Sequence, residues 1–353
     1  MTNYKNIHGT NIEIVSSDPS NPVNGQVWYN STDGKLRGSA VSPAGSWASG
    51  NNLNTARFGG YGGVGIQTAA LLAGGETGTA VTGKTESYDG TNWTEVNDMN
   101  TDRREHATAG SYTSAITAGG NNRTAEIANS ESWNGTNWTE VNDLNGTRRT
   151  MPGAGASNTS AIVFGGFGPG PPTPLNALTE SWNGTNWTEV NDLNTARQGH
   201  AGNGSQTSAL TYGGNPNTIA NTELWNGTNW TEVNDLNSGR NALSGAGTDS
   251  TSALAFGAES PSPTKAFTES WNGTNWTEVA DLGTGRAKSY GTGASNTSAL
   301  AFGGEVPPVQ PQQKNGLHQQ KPQESLPYHK TCNKFYIVYI LNITNGERHE
   351  KRR

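Results

Sequence analysis

One sixteen-residue phrase governs this chain. TESYDGTNWTEVNDMN at 85–100 returns as SESWNGTNWTEVNDLN from 130, TESWNGTNWTEVNDLN from 179, TELWNGTNWTEVNDLN from 222 and TESWNGTNWTEVADLG from 268. A short unit that cannot bury its apolar face alone has to stack against its own copies, so a repeat of this kind decides the architecture before any other feature. An arginine follows the second aromatic by ten positions in every copy, giving Arg103, Arg148, Arg197, Arg240 and Arg286, and the same step leads from Trp47 to Arg57. The intervals between successive arginines, 46, 45, 49, 43 and 46 residues, match one four-stranded propeller blade.

Glycine-rich and Asn/Asp-rich breaks cut each period into runs too short for helices, which reads as four strands, a to d. Strand b is a small-residue run that ends on a glycine, at Gly74, Gly119, Gly165, Gly213, Gly257 and Gly303. Strands c and d form the hairpin ESW-NG-TNWTEV, for which Asn134 and Gly135 suggest a two-residue type I′ turn. That register puts Glu131, Trp133, Thr136 and Trp138 on one face, with the two indoles diagonal to each other. Burial of one such ring contributes roughly 2–3 kcal/mol.

The order glycine doublet, aromatic, tryptophan, arginine resembles the Kelch motif over residues 35–304, in a compact form with a shortened turn between the aromatics. The resemblance implies an all-β, six-bladed Kelch-like β-propeller. Six glycine positions but five intact hairpins imply one split blade. Its strands c and d are expected from KLRGSAV and GSWASGNNLNTAR, and its strands a and b from AKSYGTGASNTSALAFGG, which closes the ring without free sheet edges.

Three segments follow from this reading: 1–34, 35–304 and 305–353. Within the first, QVWYN-STDG-KLR reads as a hairpin with Asp33 and Gly34 at the bend, and it resembles short modules of bacteriophage tail-fibre and structural proteins. The same residues could instead begin the first blade. After Gly304 a proline- and glutamine-rich stretch reads as a disordered tail. KFYIVYILNI beyond it has ten residues, too few to cross a bilayer; a stray strand, an assembly contact or a segment foreign to the propeller are its readings.

The formal net charge is -6 and charged residues make up 15%, which argues against a basic field for nucleic acid. MTNYKNIHGT has no apolar stretch behind its lysine, so a Sec-type signal peptide is not expected. With Cys332 as the single cysteine, neither an intrachain disulfide nor a cysteine zinc site is expected. Galactose oxidase shares the Kelch fold, but its copper centre needs a cysteine-linked tyrosine, and the repeats contain no cysteine. His106 and His200 each fall three residues after a repeat arginine, in blades that are not adjacent, so no clustered site is expected from them. Asp98, Asp143, Asp192, Asp235 and Asp281 read as turn caps rather than calcium ligands. The arginines Arg57, Arg103, Arg148, Arg197, Arg240 and Arg286 could ring the channel mouth; pairing with Glu86, Glu131, Glu180, Glu223 and Glu269 is the structural alternative. The tryptophans read as core rather than as a sugar-stacking surface.

The five copies are uniform in the hairpin and varied between strands b and c, where ETGTAVTGK, NNRTAEIAN, FGPGPPTPLNAL, NPNTIAN and ESPSPTKAF stand. Alternating strand direction puts the b-to-c and d-to-a connections on one face and the hairpin tips on the other. Loops on a rigid scaffold commonly carry recognition, which nominates Arg123, Phe167, Leu175 and Lys265 as contacts. The functional expectation is a non-enzymatic binding or structural protein without cofactor, metal, nucleic acid or membrane insertion. Its place is a phage virion, where it meets a host receptor or glycan, or other virion proteins. The alternative is a bacterial Kelch-type interaction scaffold in the cytoplasm or envelope.

Overall fold

The computed structural model describes residues 12–17, 27–32, 34–38, 45–61, 63–168, 175–259, 264–306 and 338–342. Contacts divide the chain into two units, Met1–Ala44 and Gly45–Arg353. The N-terminal unit is a three-stranded sheet of β1 (Glu13–Val15), β2 (Val27–Asn30) and β3 (Lys35–Gly38), with β1 parallel and β3 antiparallel to β2. Trp28 and Asn30 point inward from β2, while Val27 and Tyr29 remain exposed.

The second unit is an all-β propeller. After β4 (Trp47–Gly50) come five evenly repeated, four-stranded antiparallel blades. The first holds β5 (Gly63–Ile66), β6 (Ala69–Ala73), β7 (Thr85–Tyr88) and β8 (Trp93–Val96). The second holds β9 (Ala107–Ser111), β10 (Ser114–Ala118), β11 (Ser130–Trp133) and β12 (Trp138–Val141). In the third are β13 (Gly153–Ser157), β14 (Ser160–Phe164), β15 (Thr179–Trp182) and β16 (Trp187–Val190). The fourth comprises β17 (Ala201–Ser205), β18 (Ser208–Tyr212), β19 (Thr222–Trp225) and β20 (Trp230–Val233), and the fifth β21 (Ser244–Asp249), β22 (Ser252–Ala258), β23 (Lys265–Trp271) and β24 (Trp276–Glu278). A further four-stranded sheet draws on both ends of the unit, in the order β25 (Tyr290–Ser295), β26 (Ser298–Phe302), β27 (Val338–Asn342), β4.

Two local expectations are corrected. Lys35–Gly38, expected as strand c of the split sheet, instead folds back on Val27–Asn30, because Gly34 takes φ +71° and donates its N–H to the Asn30 carbonyl at 2.9 Å. Val338–Asn342 fills the third place instead. Asp33, residues 39–41 of KLRGSAV, Cys332 and the tail apart from 338–342 lie outside the described residues. The c–d hairpin, second, is not a two-residue turn. Trp133 and Trp138 are direct register partners, so four residues form the loop, and Gly135 alone has positive φ, at +93°. Asn134 holds the loop by accepting the N–H groups of Thr136 and Asn137, both at 2.9 Å, a side-chain mimic of a backbone turn.

Apolar packing lies in the seams between successive sheets. Val64, Leu71 and Ala73 of the first blade meet Met99, Trp133 and Trp138, and the other seams repeat this scheme. Leu53, Tyr290, Leu300 and Phe302 likewise pack with Leu72, Tyr88 and Trp93. The second tryptophan of a blade donates its indole N–H to a hydroxyl at the head of the preceding third strand: Trp138 to Thr85 at 3.0 Å, Trp187 to Ser130, Trp230 to Thr179 and Trp276 to Thr222 at 3.1 Å. These rings are buried, which leaves them no face for stacking a sugar.

Polar groups complete each seam. Glu180, 2% exposed, receives Arg148 Nη2 at 2.6 Å, the Asn145 backbone N–H at 2.9 Å and the Asn145 side-chain amide at 2.8 Å. Arg57, Arg103, Arg197 and Arg240 pair in the same way with Glu86, Glu131, Glu223 and Glu269, at 2.6, 2.8, 2.6 and 2.9 Å. Asn97, Asn142, Asn191 and Asn234 each grip the next blade's hairpin loop, bonding Asn137, Asn186, Asn229 and Asn275. Each repeat aspartate accepts the first N–H of its own blade's third strand, as Asp143 does from Ser130 at 3.1 Å.

Replacing Glu180 with leucine strands both Arg148 and the Asn145 N–H in the interior. The expected loss is about 3–5 kcal/mol, measured by urea unfolding, with Arg148→Met in the same background recovering part of it. An unchanged midpoint for Glu180→Leu would contradict the role given to the pair.

Candidate functional site

The residues just past each repeat arginine form the inner rim of the varied face. Two positions beyond the arginine stand Gly59, Glu105, Thr150, Gly199, Ala242 and Lys288, all with positive φ, between +49° and +80°. Their main chains are joined head to tail. Glu105 N–H donates to Gly59 O at 2.5 Å, Thr150 to Glu105 at 2.7 Å, Gly199 to Thr150 at 3.1 Å, Ala242 to Gly199 at 2.7 Å, Lys288 to Ala242 at 2.9 Å and Gly59 to Lys288 at 3.1 Å. The result is a cyclic belt of backbone hydrogen bonds. A left-handed conformation costs about 1–2 kcal/mol for a non-glycine residue, which a hydrogen bond in a partly buried site offsets.

Inside the belt, the first strands of the blades bring glycine after glycine to the axis. Gly202, Gly245 and Gly291 cannot carry a Cβ, because the neighbouring aromatic (Phe164, Tyr212 or Phe256) would lie within 2.1–2.6 Å of it. Two small axial cavities remain, of about 60 and 40 Å3. Thr108 and Gly202 line both, Asn203 borders the larger, and Tyr61, Ser244 and Ser289 border the smaller. The Tyr61 hydroxyl lies 3.6 Å from where a side chain on Gly199 would begin, three belt positions away from its own blade's Gly59, so the ring spans the mouth. Burial, reinforced by Glu105 and Glu259, raises its pKa well above the ordinary phenol value.

Charged side chains surround this mouth as inter-blade pairs. Glu76 receives both Arg104 and Arg123, the latter at 3.3 Å. Arg149 bonds Glu105 at 2.6 Å and Glu126 at 3.1 Å, and its guanidinium lies over the Phe167 ring, 4.6 Å from the centroid. Lys288 reaches Glu259 and Glu305, at 3.5 and 3.6 Å. Isolated bridges such as Arg104 to Asn121 and Arg149 to Phe167 tie the b-to-c loops to the d-to-a connections, so both lie on one face.

Of the nominated contacts, Arg123 is exposed and also donates to the Thr79 carbonyl. Phe167 and Leu175 are half-buried and bridge each other. Lys265 is half-buried at the start of β23, its Nζ 5.8 Å from the Phe267 centroid. Residues 169–174 and 260–263 of these loops lie outside the described residues. The six arginines Arg57, Arg103, Arg148, Arg197, Arg240 and Arg286 are exposed by 1% or less, and none lines an axial cavity. Burial pulls the guanidinium pKa of Arg103, Arg148, Arg197 and Arg240 down, against the glutamates that raise it. Arg286 donates to the Gly303 carbonyl at 2.6 Å. Glu76, Arg104, Glu105, Arg149, Tyr61 and Lys288 escaped the reading of the sequence. Variation one, two and four residues past each repeat arginine was the signal that pointed to them.

Among the described residues no group of three or more His, Cys, Asp and Glu is arranged to hold a metal ion. His106 and His200 are separate and fully buried. Each packs against a doublet glycine: a Cβ on Gly74 would lie 2.6 Å from His106 Cε1, and one on Gly165 the same distance from His200 Cε1. Met151 and Leu243 occupy the equivalent places beside Gly119 and Gly213. Burial, with Arg103 adding to it, lowers the His106 pKa to about 3, and burial with Arg197 lowers that of His200 well below the ordinary value.

A histidine kept neutral in the fold is protonated first in the unfolded chain. Its contribution is therefore intact above pH ~6.5 and falls by about 1.4 kcal/mol per pH unit below that, down to the folded pKa. His106→Met and His200→Leu, which copy the neighbouring blades, are expected to flatten the loss of stability between pH 7 and pH 5 in denaturant titrations. An acid limb as steep as the parent's would exclude the histidines as its source. No protein-family model matches this sequence, and no curated protein matches it.

Proposed function

We propose that the protein is a non-enzymatic recognition propeller of six Kelch-like blades, a virion component of a phage that meets a host receptor or glycan through its b-to-c face. The observation that carries this reading is the division of labour within the repeat. The repeated glutamate, arginine, aspartate, asparagines and tryptophans are all engaged in holding blades together, so their uniformity has an architectural explanation. The varied residues gather on one face around the mouth, and no such explanation covers them. Binding residues concentrate on loops of a rigid scaffold.

Six blades in a closed ring are favoured by the belt, in which Gly59 bonds Lys288 as its neighbours bond one another. Tyr290 also donates its hydroxyl to the Phe58 carbonyl at 3.1 Å, and Thr292 its hydroxyl to Gly65 O at 2.5 Å. β4 behaves as a fourth strand, since Asn51 bonds Asn92 at 3.0 Å and Asn54 N–H bonds Glu86 at 2.7 Å, just as the other connections grip the blade that follows them. The short N-terminal sheet, with its Trp-Tyr-Asn strand, keeps the likeness to phage tail modules that supports a virion setting.

In a closed ring the amides of Gly59 and Lys288 should exchange with solvent as slowly as those of Thr150 and Ala242. Exchange at the rate of an open loop would mean the ring is not closed there. For recognition, the full chain is expected to bind host cells or an arrayed glycan, with affinity at least tenfold lower once the b-to-c loops are replaced by Gly-Ser linkers. Unchanged binding would move the site off this face, and absence of binding to cells and glycans would favour a protein-scaffold role.

A further inference from the structure

Third strands in the five repeated blades share one chemistry, a hydroxyl residue, glutamate, a variable residue and an aromatic, from Thr85–Tyr88 to Thr268–Trp271. β27 does not. Its register, Ala301 to Tyr339 and Ala299 to Leu341, puts Tyr339 at the glutamate position, Leu341 at the aromatic one and Val338 where the others carry a hydroxyl. The seam hydroxyl is the acceptor for the next blade's indole in four cases. Against β27 that indole belongs to Trp93, 5% exposed, whose Nε1 is buried without a hydrogen-bond partner among the described residues.

The connection leading into this sheet departs from the repeat in the same sense. VADLGTGR places Ala280 and Gly283 where VNDLNTAR-type segments carry the two asparagines that grip the next hairpin and its glutamate. No hairpin joins the third and fourth strands here, since β27 and β4 come from opposite ends of the chain. β27 is therefore held by two backbone ladders, to β26 and β4, without the repeat's hydroxyl, glutamate or hairpin. Residues 307–337 separate it from the rest of the sheet.

We infer that the slot between β26 and β4 is a docking groove for an extended segment of another polypeptide with the chemistry Ser/Thr–Glu–x–Trp, and that Val338–Asn342 is its exchangeable occupant in cis. An incoming strand of this kind gains two backbone ladders at once, the mode of strand addition used by many peptide-binding sheets. Its hydroxyl meets Trp93 Nε1. Its carboxylate enters at the register where five guanidiniums take glutamate elsewhere, beside Arg286, and its aromatic faces Trp47, the register partner of Leu341.

This inference rests on the six-bladed reading, and the experiment keeps the two apart. A fluorescent peptide KAFTESWNGT is titrated into the full chain, beside a control carrying valine and tyrosine in place of its threonine and glutamate. The first is expected to bind at least tenfold more tightly than the control and to raise amide exchange at 338–342. The full-chain variant Val338→Thr, Tyr339→Glu, which gives the cis strand the repeat's chemistry, is expected to weaken peptide binding tenfold or more and to melt higher than the parent. Equal or absent binding of the two peptides overturns the docking groove while the Gly59 and Lys288 amides stay protected. Loss of protection at those amides in the free protein instead removes the six-bladed reading, and the groove with it.

Discussion

Every repeated third strand carries a glutamate that folding removes from water, and a buried carboxylate persists only where its charge and lone pairs are met. Here they are met from the connection that enters the blade: one arginine, one backbone N–H and one asparagine amide converge on Glu180, and the same set recurs on Glu131, Glu223 and Glu269. The pair is weak evidence for net stability, because an apolar replacement of similar shape often does as well. Its contribution is geometric. A carboxylate with such partners admits one position of the connection, and that position sets where the belt residues and the varied loops begin.

The tryptophans serve the same end by a different route. Each fills the seam between two blades, and its N–H has a single acceptor on the neighbour, so an apolar contact that would tolerate sliding acquires a defined register. Glycines at the axis follow from the same close approach, because an aromatic ring at the end of one second strand occupies the space a side chain would need on the next blade's first strand.

Much of this was legible in the sequence because it is local and repeated. The period, the small-residue second strands and the arginine–glutamate pairing follow from composition at fixed spacing. Asn-Gly misled on the hairpin, since it is also the strongest two-residue turn signal; the four-residue loop depends on Asn134 folding back on its own backbone. The third strand of the split sheet was out of reach, because Val338–Asn342 lacks the repeat's residues and lies far along the chain. On the varied face, attention to the b-to-c loops passed over Arg149, Glu105 and Tyr61. Those positions become neighbours only when the blades stand around an axis.

The belt of left-handed residues leaves a particular freedom at the mouth. Its bonds are entirely main chain, so the six side chains it displays, from Gly59 and Glu105 to Lys288, can change identity without loosening the hoop that presents them. Backbone donors and acceptors are already used by one another there, and a visiting molecule would be read by side chains alone. Evolution is thereby offered a rosette of six exchangeable letters on a fixed frame, with Tyr61 as its centre.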